Sequence, residues 1–588
     1  MHAQVPPPEK RPDVLLEQQR RLEEQRQQQE QLMQPRPPAE IEKPPPPAPS
    51  KGNGAKVLVT RFTFSGNTVI PTNELEKIVA PYIGKELTVR ELKDVAGRIS
   101  EHYLANGYLL GQAYLPPQEI KGGLVEIAIL EGKVGEIRVT GNQRYESSSI
   151  LRAMEPVKRR GVIHEATLET ALNELNDYPG LKVRADLKPG ATRGVADLQL
   201  TAKERIPYTL GLDVNNYGSQ LTGPWLYGGE VGIGNLAGQG DNLSFRLTKS
   251  NDNLFFTNIG YLIPVTSFGT KLQLTWLHAE NVIGEPFGAS RPVGRADFAS
   301  LDVLQTFRRT AAFSLTGFAG FDFKTVRDML ANPPFNATPI TKDELRVFRL
   351  GLRGDYRDLF LGRTYFGLTW HHGADIWGAS TQNSPQTSFA GSGPGNWDKV
   401  TADLARYQSL DLPFIQGLPV LSTVLNGSYL ILRATGQLAS DRLLSPERFA
   451  IGGYYTVRGY PVAERIGDNG YATTAELVVP VPSTVKVPYS SLTWKEMVQL
   501  AAFIDYGATY ATPLQSTPQG GYGDLTGAGG GLRIHVPFGV PQPVDRGVLS
   551  IKIDWASAIG RPRPSSREEG ITGPGFPGVL YVSAGVRF

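Results

Sequence analysis

From Pro207 almost to its end the chain keeps one texture: segments of about ten residues in which apolar and polar side chains alternate, divided by clusters of Gly, Asn, Asp, Ser and Pro. Tyr208, Leu210, Leu212 and Val214 oppose Thr209, Gly211, Asp213 and Asn215. Leu243, Phe245 and Leu247 oppose Asn242, Ser244, Arg246 and Thr248, and Leu549, Ile551, Ile553 and Trp555 oppose Ser550, Lys552 and Asp554. Leu430, Leu432 and Ala434 against Tyr429, Ile431 and Arg433 is a weaker instance. A strand turns successive side chains to opposite faces, so each segment has one apolar and one polar face. Helical periodicity is nearly missing, and no linker divides the region into the several domains a soluble β-sandwich of this size would need. At about 22–25 residues per strand and turn, the region holds about 16 strands, an even number as in single-chain bacterial barrels.

No uninterrupted apolar run reaches the roughly 18 residues of a membrane helix. Lipid satisfies no backbone polar group, so such a chain can cross a membrane only as a closed barrel. The last segment fits that role. Leu580, Val582, Ala584, Val586 and Phe588 share one parity, while Tyr581, Ser583, Gly585 and Arg587 share the other. A half-buried strand of a soluble sandwich alternates in the same way; the closing strand of a transmembrane barrel also ends on an aromatic residue.

The portion before Pro207 is organised differently. Within residues 1–33, the stretch from about 12 to 33 is rich in Glu, Gln, Arg and Leu and reads as a polar helix without a full apolar face, suited to solvent or a polar cavity. Residues 34–56 are a linker, semi-rigid around Pro44 to Pro47. The amino terminus shows no secretory signal, and His2-Ala3-Gln4 reads as the start of a mature form. Two repeats follow, at 57–131 and 132–206. Phe62-Thr-Phe-Ser-Gly66-Asn67 is echoed by Ile137-Arg-Val-Thr-Gly141-Asn142. Thr88-Val-Arg-Glu91 is a capping box, after which Leu92, Val95, Ala96, Ile99 and Tyr103 recur at helical spacing until Asn106-Gly107. Leu168, Ala171, Leu172 and Leu175 repeat the pattern. Paired strands close each copy, giving two small α/β domains that suggest a modular arm. Lys158-Arg159-Arg160 reads as a solvated turn.

Chemistry-bearing motifs are scarce. The chain has no Cys, which removes thiolate metal sites and a cysteine nucleophile. There is no Gly-Lys-Ser/Thr phosphate loop and no Gly-x-Ser-x-Gly elbow. The seven His residues form no metalloprotease pattern, and His371-His372 would point to opposite faces of a strand. Gly527 to Gly531 and Gly232-Ile-Gly234 read as turn and close-packing glycines, since no strand–turn–helix surrounds them. A net charge of +3 gives no case for nucleic acid. No enzyme, cofactor or metal site is expected. Two motifs stand out instead. Val457-Arg458-Gly459-Tyr460 lies in a Gly-rich stretch around 449–470. Phe503, Asp505 and Gly507 share one parity of a strand whose other face carries Val498, Leu500, Ala502, Ile504 and Tyr506, so Asp505 points into a lumen.

Together these features resemble the POTRA–barrel superfamily that includes BamA. The two repeats look like POTRA domains, and Val457-Arg458-Gly459-Tyr460 and Phe503-x-Asp505-x-Gly507 match that superfamily's loop motif and its partner on the barrel wall. Two repeats, a polar N-terminal helix and a Pro-rich linker resemble the TpsB transporters of two-partner secretion, of FhaC/ShlB type. The resemblance implies two POTRA domains and a barrel over 207–588. The loop around 449–470 would fold into the lumen to pair Arg458 with Asp505, and the helix would plug the pore. It implies an outer-membrane transporter that captures an unfolded exoprotein (an adhesin, haemolysin or haem-acquisition protein) in the periplasm through its N-terminal secretion domain. No nucleotide would be used. Leu580, Val582, Ala584, Val586 and Phe588 would be read by the barrel-assembly machinery, and outer-membrane lipid would surround the wall. A barrel-assembly factor of BamA or TamA type shares the architecture, and a passive porin would share the barrel alone.

Overall fold

The structure, a computed structural model, describes residues 40–42, 56–283, 292–330, 338–381, 383–387, 396–413, 417, 425–483, 485–487, 492–512, 522–539, 546–559 and 578–588. The polar helix expected over about 12–33 lies outside these residues, as does most of the linker. From the linker, β1 (Ile41–Glu42) is described.

The first repeat comprises β2 (Lys56–Leu58), β3 (Arg61–Ser65), α1 (Thr72–Val79), β4 (Glu86–Thr88), α2 (Val89–Ala105), β5 (Gln112–Tyr114) and β6 (Leu124–Leu130). Its sheet runs β3-β6-β5, with β3 parallel to β6 and β5 antiparallel. The capping box opens α2 as expected: the Glu91 amide donates to Thr88 Oγ1 at 3.3 Å, and the Thr88 amide donates to the Glu91 carboxylate at 2.7 Å. The helix ends at Gly107, whose φ of +84° is readily reached only without a Cβ. Leu92, Val95, Ala96, Ile99 and Tyr103 all lie in the core against β6.

The second repeat comprises β7 (Lys133–Thr140), α3 (Ser147–Ala153), α4 (Glu155–Arg160), α5 (Glu165–Asn176), β8 (Leu181–Pro189) and β9 (Val195–Glu204). Its sheet order is β1-β8-β9-β7, so the linker strand β1 lies parallel on the edge strand β8. The two Gly-Asn turns share their chemistry. Asn67 donates from its amide to Ile70 O and Thr72 Oγ1 at 3.2 and 3.1 Å; Asn142 donates to Tyr145 O and Ser147 Oγ at 2.8 and 3.0 Å. Behind each turn a carboxylate collects amides that would otherwise be orphaned. Glu131 accepts from Thr68 and Val69 at 2.6 and 3.0 Å, and Glu204 from Gln143, Arg144 and Tyr145 at 3.0, 2.7 and 3.1 Å. The repeat therefore extends to hydrogen bonds, not only to apolar spacing. Lys158-Arg159-Arg160 are exposed as expected, although they form the last turn of helix α4, and the Arg159 guanidinium lies 4.5 Å from the centroid of the Phe268 ring.

The remainder is a closed antiparallel barrel. Its strands are β10 (Tyr208–Asn215), β11 (Leu226–Gly234), β12 (Asn242–Ser250), β13 (Leu254–Pro264), β14 (Thr270–Val282), β15 (Pro292–Arg309), β16 (Phe313–Leu330), β17 (Thr338–Arg357), β18 (Gly362–Gly373), β19 (Trp397–Ser409) and β20 (Tyr429–Ala439). A hairpin, β21 (Phe449–Ile451) with β22 (Arg465–Gly467), then interrupts the wall. The wall resumes with β23 (Asn469–Pro480), β24 (Val498–Tyr510), β25 (Tyr522–Gly539), β26 (Arg546–Ile559) and β27 (Val579–Arg587). Omitting the hairpin, 16 strands close the ring, with β27 pairing back onto β10. In that seam Gly211 to Asn215 pair with Arg587 to Ser583, and Leu210 and Phe588 exchange backbone hydrogen bonds at 3.4 and 2.8 Å. Asn216 lengthens it, donating to Leu580 O at 2.8 Å and accepting from the Val582 amide at 2.7 Å.

The alternation decides which side chains face outward. Tyr208, Leu210, Leu212, Phe245, Leu432 and Trp555 are exposed on the outer face, while Arg246, Thr248 and Asp554 are buried inside. The second repeat docks through α5 on the turns at one end of the barrel. Asp177 takes a bidentate pair from Arg309 at 2.8 and 2.7 Å, Glu169 accepts the Ala311 amide at 2.7 Å, and Lys271 meets Glu174 at 2.7 Å.

Candidate functional site

The segment between β20 and β23 does not stay outside the barrel; it enters the lumen and carries the Val457–Tyr460 motif to the wall. Along β24 the predicted parity holds: Leu500 and Ile504 are exposed outward, whereas Phe503 and Asp505 are buried inward. Loop and wall meet at Arg458. Its Nε and Nη2 donate to the two Asp505 carboxylate oxygens at 2.7 and 2.9 Å, and its backbone amide donates to the same carboxylate at 3.1 Å. The guanidinium lies over the Phe503 ring, 3.4 Å from its centroid. Arg458 and Asp505 are 4% and 1% exposed, so the pair is shielded from the water that weakens surface ion pairs.

Glycine makes the approach possible. A Cβ on Gly527 would overlap the Arg458 carbonyl oxygen, and one on Gly507 would press on Val457 at 3.1 Å. Gly459 has φ +91°, and a Cβ there would meet the Ser557 backbone at 2.8 Å. Gly527 therefore packs closely as expected, but within strand β25 and not in a turn. Val457 and Tyr460 bury themselves with Phe449, Ile451, Ala472 and Leu525.

The pair expected from the sequence is the centre of a larger network. Arg458 Nη1 also donates to Glu476 on β23 at 3.0 Å and lies 3.8 Å from Asp554 on β26. Arg533 on β25 donates to Glu476 at 2.9 Å and to both oxygens of Asp554. Two guanidinium groups and three carboxylates thus interlock, which satisfies charges that would be costly alone. Parity places Glu476, Arg533 and Asp554 on lumen faces, but nothing local in the sequence pairs them with Arg458.

The loop tip also grips the barrel seam. Tyr454 stacks on Tyr217, just beyond β10, with centroids 3.7 Å apart, and donates to Asp554 at 3.1 Å. The Gly459 amide donates to Tyr581 Oη on β27 at 3.1 Å. First strand, last strand and loop therefore share one cluster. On β27, Tyr581 is buried inward while Leu580 is exposed outward, as the terminal alternation predicts. Among the described residues no group of His, Asp and Glu could hold a metal ion. The network presents no nucleophile beside a base; what it can do is hold a loop.

Paired POTRA-type repeats leading into a closed barrel crossed by an Arg-Gly-Tyr loop define a class, the POTRA-bearing β-barrel transporters of the bacterial outer membrane. Residues 194–534 match the profile of the haemolysin secretion/activation proteins ShlB/FhaC/HecB, and residues 57–132 match the ShlB-type POTRA domain. The first match alone spans more than half of the chain, and the protein belongs to that family. A relative, the heme/hemopexin transporter protein HuxB of Haemophilus influenzae, is 26% identical over 499 residues, covering 82% of each chain. The outer membrane transporter CdiB of Escherichia coli O6:K15:H31 is 23% identical over 418 residues, 70% of this chain and 67% of its own. A solved CdiB from Escherichia coli shares the fold across 100% of both chains, with a TM-score of 0.73 at 18% identity. The protein is a TpsB-type transporter of the outer membrane, with its POTRA arm in the periplasm.

Proposed function

We propose that the protein exports one large partner polypeptide. The arm captures the unfolded exoprotein by its N-terminal secretion domain, and the chain then passes through the barrel to the cell surface or medium. The observation that carries this reading is the buried Arg458–Asp505 latch, which keeps a removable loop, and not a rigid plug of wall residues, in the bore. An extended client could add a strand to β5, which among the described residues pairs on one side only. No nucleotide is consumed; folding of the client outside draws it across. The polar helix expected over about 12–33 would plug the pore, and Leu580, Val582, Ala584, Val586 and Phe588 act as the signal read by the barrel-assembly machinery. The partner is an adhesin, a haemolysin or a haem-acquisition protein.

Co-expression with the large exoprotein encoded beside this chain tests the proposal. The exoprotein should appear in the medium or on the cell surface only when this chain is present. Unchanged export in its absence would refute the reading. A general loss of outer-membrane barrels on deletion would favour the assembly-factor alternative.

A further inference from the structure

The loop is fastened at a second place that shares no partner with Arg458. At its root, just before β21, Ser445–Glu447 make a single turn, and Glu447 is 1% exposed. Two wall lysines from strands that are not neighbours converge on its carboxylate: Lys324 of β16 at 2.7 Å and Lys399 of β19 at 2.6 Å. The Glu447 carbonyl accepts from Lys399 Nζ at 3.1 Å and from Gln437 Nε2 of β20 at 2.9 Å. Beside this anchor Leu443 and Leu444 pack on Leu345, Val347 and Trp397. Asp468 ties the other end of the segment, accepting from the Leu443 amide, Arg448 Nε and the Thr512 amide at 3.0, 3.1 and 2.8 Å.

The tip contacts β23 to β27 and the end of β10, whereas the root contacts β16, β17, β19 and β20. The loop therefore reaches across the bore from one wall to the other. We infer that Glu447, held by Lys324 and Lys399, is a second anchor, independent of Arg458, which must release before the loop can clear the lumen. Its role rests on the transport reading above. Glu447 is a positioning residue: it sets where the loop root sits and need not touch the client. Burial favours this arrangement as a switch. A carboxylate between two buried ammonium groups is held firmly while in place, and Asp322 of the same wall, 3.6 Å from Lys324, keeps that lysine countered when the loop root moves. The two anchors share no hydrogen-bond or ion-pair partner, so breaking the tip should leave the root fastened.

The chain has no Cys, so Leu444→Cys introduces a unique thiol at the buried root. A membrane-impermeant maleimide, applied outside to cells carrying the full-length chain, reads how often the root opens. Labelling should be slow in Leu444→Cys alone and roughly tenfold or more faster with Glu447→Gln. It should stay slow with Arg458→Ala, and the charge exchange Glu447→Lys with Lys399→Glu should slow it again. If Glu447→Gln fails to insert, Lys399→Gln carries the same expectation. Fast labelling in the parent, no acceleration when the anchor is cut, equal acceleration by Arg458→Ala, or no rescue by the exchange would each overturn the inference. Labelling reports the loop and export reports transport, so failure of one is distinguishable from failure of the other.

Discussion

Arg458 joins three strands and the loop through one side chain, and its removal leaves Asp505 buried with no comparable partner. Cutting one member of a buried pair costs about 3–5 kcal/mol. Arg458→Ala should therefore insert in the membrane but export poorly, with unfolding of the purified barrel shifted accordingly. Arg458→Lys keeps the charge and loses the two-pronged contact, so about 1–2 kcal/mol should be lost. Removing both Arg458 and Asp505 should cost less than the sum of the single changes, as a double-mutant cycle would read. Gly527→Ala tests the same site from the other side. The new methyl has to displace the Arg458 carbonyl, so about 1–3 kcal/mol should be lost with no charge altered. Normal export by either Arg458→Ala or Gly527→Ala would argue that the latch is passive. Alternation along β24 made the inward direction of Asp505 legible in the sequence, and a matching motif suggested its partner. Glu476, Arg533 and Asp554 lie on equally legible lumen faces, yet their convergence depends on strand order around the ring and on the path of the loop. Local periodicity records neither.

At the scale of elements, the wall and the repeats were the most readable parts, because each rests on short-range regularities. Capping at Thr88, the stop at Gly107 and the period-two strands all appear where the residues place them. Lys158-Arg159-Arg160 stay exposed as the sequence suggests, but the contact of Arg159 with Phe268 of a barrel turn far along the chain has no local signature. The same long-range docking fixes α5 against the barrel. Arg309 and Asp177 are partly exposed, so this pair by itself is worth about 1 kcal/mol or less. Together with Lys271 and Glu174 it still sets the angle of the arm. Asp177→Ala combined with Lys271→Ala should broaden the distance distribution between spin labels on introduced cysteines, one on the second repeat and one on the barrel. The barrel itself should remain resistant to cold detergent. A narrow, unshifted distribution would mean that the surrounding backbone contacts suffice.

For the whole molecule, the seam, the loop and the arm form one connected path. Tyr217 and Tyr581 place the two closing strands against Tyr454 and Gly459 of the loop, while α5 seats the periplasmic arm beside the opposite rim. On the proposed reading, a polypeptide entering from the arm would meet a bore bridged from wall to wall, so transport and loop release would belong to one event. The closing strand ending in Phe588 supports this as much as it completes the ring, since its inward Tyr581 touches the loop while Leu580 is exposed on the outer face. Transport across a bilayer by the purified chain tests the account most directly. Full-length protein would be placed in liposomes and given the unfolded N-terminal portion of the proposed partner exoprotein, without nucleotide, and the client then exposed to protease. The account predicts a protected client fraction inside the vesicles that falls sharply with Arg458→Ala at equal insertion. No protected client, or protection that requires added nucleotide, would contradict it.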